Sequence, residues 1–101
     1  MQATSISSET YYTVKKRDGG RCIYCGTPHS LQCAHFIPRS QLGKGVPENL
    51  AMLCVHCHTA LDNGNDTGLR TSIKNRFESY LRAHYDGWDA ERLVHHKGDD
   101  I

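Results

Sequence analysis

The chain has no long apolar segment. Its 101 residues are 38% hydrophobic, and no stretch approaches the roughly 20 consecutive apolar residues that a membrane-spanning helix needs. It opens with the polar sequence MQATSISSET, which lacks the apolar centre of a secretory signal. We therefore expect a cytoplasmic protein without a membrane span.

Large apolar side chains and excess charge are also scarce. The chain has one Trp, two Phe and two Met, and its formal net charge is +1. A single domain of this size buries only about 60–65% of its unfolded surface, so it gains from a metal or covalent crosslink. Basic residues before the first cysteine pair and after the last are compatible with a phosphate-facing side, although such runs are more often solvated faces.

Cysteine, in contrast, is plentiful and regularly spaced. Cys22 and Cys25 form one C-x-x-C pair, and Cys54 and Cys57 form a second. Two such pairs predict a closed, tetrahedral structural Zn²⁺ site, because each short turn presents two sulfurs at a spacing that one ion can bridge. A redox C-x-x-C is the alternative, but no thioredoxin-like βαβ pattern surrounds the pairs. The fifth cysteine, Cys33, fits a reducing compartment and is expected to be a small buried residue.

The order of elements predicts one small α+β domain over residues 1–101. Residues 1–7 are expected to be disordered, and an N-terminal helix with Ser8 as its cap is expected over 8–20, ended by two glycines. The zinc-bound core over 21–64 reads as strand, Gly-rich loop, strand and short helix. An amphipathic helix and a final short helix are expected within 69–95.

Four polar residues in this core have no role in a zinc site. His35 lies in the first predicted strand, Asn49 precedes the second, and His58 and Asp62 follow the last cysteine pair. His58 and Asp62 are four residues apart, so on a helix they share a face and can share one ion. Imidazole is the side chain suited to deprotonating water near neutral pH.

These residues together resemble the HNH endonucleases. The resemblance covers residues 17–64 and depends on the order Cys-x-x-Cys, His-Phe-Ile-Pro-Arg, Glu-Asn-Leu and Leu-Cys-x-x-Cys-His. It implies a treble-clef-like ββα-metal core with flanking helices, and a metal-dependent endonuclease that hydrolyses phosphodiester bonds in DNA. The residues of these motifs are similar to those of phage HNH proteins, which implies a role in DNA packaging or recombination in the host cell cytoplasm.

The resemblance also implies a role for each catalytic residue. His35 would be the general base, Asn49 would hold the loop and orient that base, and His58 would bind a divalent cation such as Mg²⁺ or Mn²⁺. Many relatives carry an additional metal ligand immediately before the base, where this chain has Ala34. Asp62 would then supply the carboxylate, unless substrate phosphate completes the metal site or the chain is an inactive relative.

Two other functions stay open at this level. A zinc-ribbon module that binds DNA or acts as an adaptor without catalysis would keep the four cysteines yet have no use for His35 and His58. A protein-interaction domain in a packaging or recombination complex is the third reading. We expect duplex or branched DNA as the partner, with Arg39 and Lys44 as candidate phosphate contacts, and the sequence does not indicate an oligomeric state.

Overall fold

The computed structural model describes residues 4–95, which form a small α+β fold around a two-stranded sheet. Three helices, two strands and three short 3-10 turns are present in this part of the chain. In chain order they are α1 (Ser8–Arg17), β1 (Leu31–His35), 3-10 turns at Arg39–Gln41 and Pro47–Asn49, β2 (Leu50–Cys54), α2 (Val55–Asn63), α3 (Thr67–His84) and a 3-10 turn at Ala90–Leu93. The predicted fold class is confirmed.

The helix boundaries follow from local capping chemistry. The hydroxyl of Ser7 accepts a hydrogen bond from the backbone N–H of Thr10, so Ser7 rather than the predicted Ser8 caps α1. The carboxylate of Asp66 caps α3 in the same way, by accepting from Leu69 N–H. The chain leaves α1 through Gly19 at φ 69°, a left-handed conformation that glycine adopts without strain. The helix accordingly ends at Arg17, earlier than the predicted residue 20.

The sheet is antiparallel, and its register places Cys54 and His35 at opposite ends. Leu31 pairs with Cys54 at one end and His35 pairs with Leu50 at the other. All five residues of β2 are buried, whereas in β1 only Ala34 is buried and the other four residues are partly or fully exposed. Since α2 starts directly after β2, the second cysteine pair lies at the Cys54 end of the sheet, opposite the His35 end.

The two faces of the sheet carry separate apolar clusters. One face packs against α2 and α3, with Phe36 in edge-to-face contact with Phe77 and with Trp88 at centroid separations of 5.4 and 5.5 Å. The other face packs against α1 through Val14, Leu50 and Met52. Both faces of the small sheet are thus covered, which fixes its position between the helices.

A buried polar network joins α1 to β2. The carboxylate of Asp18, whose side chain is 0% exposed, pairs with Arg17 at 2.7 Å and accepts from Met52 N–H at 2.8 Å. Arg17 donates in turn to the carbonyl oxygens of Pro47 and Leu50, at 2.8 and 2.6 Å. The guanidinium therefore holds the backbone on both sides of the 3-10 turn that leads into β2.

Two predictions about irregular segments are corrected. Disorder was expected over residues 1–7; residues 1–3 lie outside the described residues, but residues 4–7 pack on the domain because Ser7 caps α1 and Ile6 contacts the α1 cluster. The central loop over 40–49 was expected to lack regular elements, yet single 3-10 turns lie at its two ends, Arg39–Gln41 and Pro47–Asn49. Within residues 4–95 no helix combines the length and apolarity needed to span a bilayer.

Candidate active site and zinc site

The four paired cysteines form one cluster. The Sγ atoms of Cys22, Cys25, Cys54 and Cys57 all lie within 4.8 Å of one another, and Cys25 Sγ is 3.7 Å from Cys54 Sγ. Tetrahedral Zn²⁺ with Zn–S bonds of about 2.3 Å requires sulfurs about 3.8 Å apart. The geometry and the all-sulfur donor set therefore fit structural zinc, and among the described residues no other group of three or more such ligands is gathered.

Backbone amides of each knuckle point at a sulfur. Cys25 N–H donates to Cys22 Sγ at 3.5 Å and Cys57 N–H donates to Cys54 Sγ at 3.4 Å. Burial acts to raise the pKa of Cys22, but hydrogen bonds from backbone groups, that of Cys25 first among them, outweigh it and lower that pKa to about 7. Burial and the neighbouring sulfurs raise the pKa of Cys57 well above its ordinary value. A cation among the sulfurs would favour their thiolate forms, because zinc binds deprotonated cysteine.

His58 and Asp62 lie on one face of α2, as the spacing predicts. His58 Nε2 is 3.0 Å from an oxygen of Asp62, and His58 Nδ1 is 2.7 Å from Oε1 of Gln32 on β1. A neutral imidazole has only one N–H, so it cannot donate to both oxygens. If Nδ1 donates to Gln32, a divalent cation in place of the Nε2 proton satisfies both His58 and Asp62. The pair therefore fits a metal site in which Gln32 sets the ring orientation.

His35 ends β1 and is half-buried. Its Nε2 lies 2.9 Å from the carbonyl oxygen of Thr4. Burial lowers the pKa of His35 below its ordinary value, and the hydrogen bond to Thr4 only partly opposes that shift. The ring is consequently neutral at neutral pH, as a general base must be.

Asn49 is buried and holds the central loop. Its side-chain oxygen accepts from Ile37 N–H at 2.8 Å, and its amide donates to the carbonyl oxygens of Ile37 and Lys44 at 3.2 and 2.9 Å. Its own carbonyl oxygen accepts from Phe36 N–H at 2.8 Å, one residue after His35. Asn49 thus fixes the backbone on the C-terminal side of the predicted base.

The two histidines open into one cleft of about 730 Å³. It is lined by His35, His58, Asp62 and the predicted phosphate contact Arg39, together with Arg70 and Lys74 of α3. His35 shares a strand face with the α1 side, while α2 packs on the opposite face. Both rings line this cleft because β1 is an edge strand, around which side chains from both faces can reach.

Other residues singled out from the sequence lie apart from this chemistry. Lys44 lines a different cavity, beside Trp88. Ala34 is buried in the core, so its side chain offers the cleft nothing in place of a ligand. Cys33 borders the cleft, but burial raises its pKa to about 11, which keeps it a thiol.

Sequence reasoning did not identify several residues of the cleft. Gln32 and Thr4 contact the two histidines, and Arg70 and Lys74 add positive charge. Arg70 and Lys74 were visible as basic residues one helical turn apart, but nothing in the sequence placed their face of α3 on the cleft. The Thr4 contact is made by a backbone carbonyl, which has no sequence signature.

Comparison with known proteins agrees with this arrangement. Residues 22–64 match the family model described as HNH endonuclease, a span that contains both cysteine pairs, His35, Asn49, His58 and Asp62. The match covers less than half of the chain. The predicted resemblance is confirmed for this part of the chain, and the matched span contains the cysteine cluster and both histidines of the cleft.

One solved structure extends the likeness beyond the matched span. It is the type IV phosphorothioation-dependent restriction endonuclease ScoMcrA, with a TM-score of 0.61 and 23% sequence identity. The alignment covers 77% of this chain but 16% of that chain. At this identity the likeness shows a shared fold, and the present chain corresponds to a small portion of the larger enzyme. No curated protein matches the chain.

Proposed function

We propose that this chain is a metal-dependent DNA endonuclease that hydrolyses phosphodiester bonds through a water activated by His35. The observation that carries the proposal is the shared cleft: a neutral, half-buried imidazole and the His58–Asp62 pair line the same opening. The HNH family description and the restriction endonuclease with a similar fold support the same reaction class. A zinc-bound adaptor without catalysis has no use for this convergence.

Each residue has a defined task in this reaction. A divalent cation held by His58 and Asp62 would stabilise negative charge on the scissile phosphate and on the departing 3′ oxygen. His35 accepts a proton from the attacking water, whose oxygen forms the new bond to phosphorus as the bond to the 3′ oxygen breaks. Asn49 keeps the loop after His35 in place, which maintains the position of the ring.

The charge of the cleft suits a nucleic-acid backbone. Arg39 and Lys74 are exposed at its rim, and Asp62 is the one carboxylate among the lining residues that the structure describes. With Asp62 engaged by a cation, the cleft would present positive charge to phosphates on either side of the cut. These basic residues suit contacts with the DNA backbone in preference to the bases, so we expect weak sequence selectivity. The phage context stays a prediction from the motif resemblance.

A plasmid-nicking assay tests the proposal. Purified chain, His35→Ala and His29→Ala are each incubated with supercoiled plasmid, with and without Mg²⁺ or Mn²⁺. His29 is an exposed histidine outside the cleft and serves as the matched control. We expect divalent-dependent nicking that falls roughly 10²- to 10⁴-fold in His35→Ala, the range for loss of a general base, and is unchanged in His29→Ala. Binding without cutting, equal in all three proteins, would support the adaptor instead.

A further inference from the structure

The segment before α1 reaches the base directly. The carbonyl oxygen of Thr4 lies 2.9 Å from His35 Nε2. A carbonyl oxygen can only accept a hydrogen bond, so Nε2 must carry the proton. In the neutral ring the lone pair then resides on Nδ1. This one contact therefore decides which nitrogen of His35 is available to take a proton from water.

The contact is held on both sides by independent packing. Toward α1, Ile6 packs against Val14, Leu50 and Met52, and Ser7 caps the helix. Next to Thr4, the carbonyl of Ser5 crosses close to Gly45 of the central loop: a Cβ placed on Gly45 would lie 2.1 Å from that oxygen. The segment thus fits into a space that only a glycine at position 45 leaves open.

The same contact favours the protonated form that the reaction creates. When Nδ1 accepts a proton, the ring becomes an imidazolium, and its Nε2–H bond to Thr4 becomes charge-assisted and stronger. The carbonyl thus stabilises the base after proton transfer without itself changing protonation state. Among the other cleft residues, Arg39 and His58 act in the opposite direction on the charged ring, whereas the carboxylate of Asp62 acts in the same direction as the carbonyl.

We propose that residues 4–7 are part of the catalytic site, in which the main-chain carbonyl of Thr4 is the positioning group that holds His35 in the tautomer with a basic Nδ1. The inference rests on the proposed function for its catalytic meaning. The contact and the tautomer are properties of the folded chain and exist whether or not the chain cuts DNA.

The test displaces the segment in one full-length variant and removes Thr4 in a second, shortened one. In Gly45→Ala the new Cβ collides with Ser5 and pushes the segment outward; Gly45 is not among the glycines with positive φ, so alanine fits its backbone. Gly68→Ala is the matched control, because a Cβ there meets only an oxygen of Asp66 at 3.3 Å. A second variant, with the chain beginning at Ile6, removes Thr4 itself and keeps Ser7 and α1.

Two signals are measured on the zinc-loaded proteins. Imidazole ¹⁵N spectra, assigned with His35→Ala, report the tautomer in the absence of other divalent ions. We expect the Nε2–H form of His35 in the full chain and in Gly68→Ala, and a mixture of both tautomers in Gly45→Ala and in the shortened chain. In the nicking assay kcat should fall roughly 10- to 100-fold, the range for losing a partner that orients a histidine, with KM within about twofold.

The outcomes separate this inference from the proposed function. An Nδ1–H ring in the full chain, or a tautomer and kcat unaffected by either variant, would overturn the positioning role. A rise in kcat on displacement would also overturn it and make the segment a cover over the site. Inactivity of the full chain would overturn the proposed function, whereas the ¹⁵N spectra would still decide the contact.

Discussion

The cysteine cluster and the His58–Asp62 pair differ in how completely the chain surrounds an ion. The cluster supplies four sulfurs, with Cys22, Cys54 and Cys57 buried. The pair supplies two donors whose side chains are 25% and 47% exposed. A closed ligand set holds an ion for its structural effect, and an open one leaves positions for water and phosphate. Under the proposed function, the same small domain would use one ion site for folding and the other for chemistry.

The largest effect is expected at the closed site, which is the cysteine cluster. Cys57→Ser, or removal of zinc by a chelator, should abolish cooperative folding, because the binding free energy of structural zinc is part of the folding free energy. Circular dichroism with thermal melts measures the loss. Cys33→Ser is the control, since Cys33 is a cysteine outside the cluster and should change the melting temperature little. A well-folded Cys57→Ser protein without zinc would contradict the structural role.

At the open site, Asp62→Asn should leave the fold intact and weaken the binding of the divalent cation instead. The concentration of Mn²⁺ for half-maximal nicking should rise by more than about 100-fold, because one of two protein ligands is lost. Asp86→Asn, an exposed carboxylate outside the cleft, is the control and should behave as the parent. Equal Mn²⁺ dependence in both variants would remove Asp62 from the metal site.

A smaller effect is expected at Gln32, which contacts His58 and is not a proposed ligand of the ion. Gln32→Ala should raise the Mn²⁺ concentration for half-maximal nicking roughly 10- to 100-fold, as for other partners that orient a ligating histidine. Calorimetric titration with Mn²⁺ measures the same change without DNA. Unaltered affinity would mean that α2 alone fixes the ring.

The smallest effect concerns pH. Burial lowers the pKa of His35, so its neutral, active form persists to a lower pH than for a free imidazole. The acid limb of kcat/KM should therefore lie below about pH 6.5, the ordinary histidine value, with activity lost only as pH falls further. A pH–rate profile at saturating Mn²⁺ measures it, and an acid limb above that value would contradict a buried base.

The closed site could be predicted fully from the sequence, because both C-x-x-C pairs act through local turns and share a single recognisable chemistry. The pairing of His58 with Asp62 could also be predicted, since their spacing needs only the helical period. The contribution of Thr4, Gln32 and Lys74 could not be predicted, because their positions depend on strand register and on the path of the N-terminal segment. The first seven residues were interpreted as disordered from polarity, but two serines and one isoleucine give residues 4–7 enough contacts to pack.

Cys57 and His58 are consecutive residues of α2, although they belong to different sites. Successive residues of a helix are turned by about 100° from each other, so the sulfur faces inward to the cluster while the ring faces the cleft. The four sulfurs thus set the angular position of the helix. Lengthening the chain by one residue between the two would swing the ring away from the opening, so the junction of Cys57 and His58 tolerates no insertion.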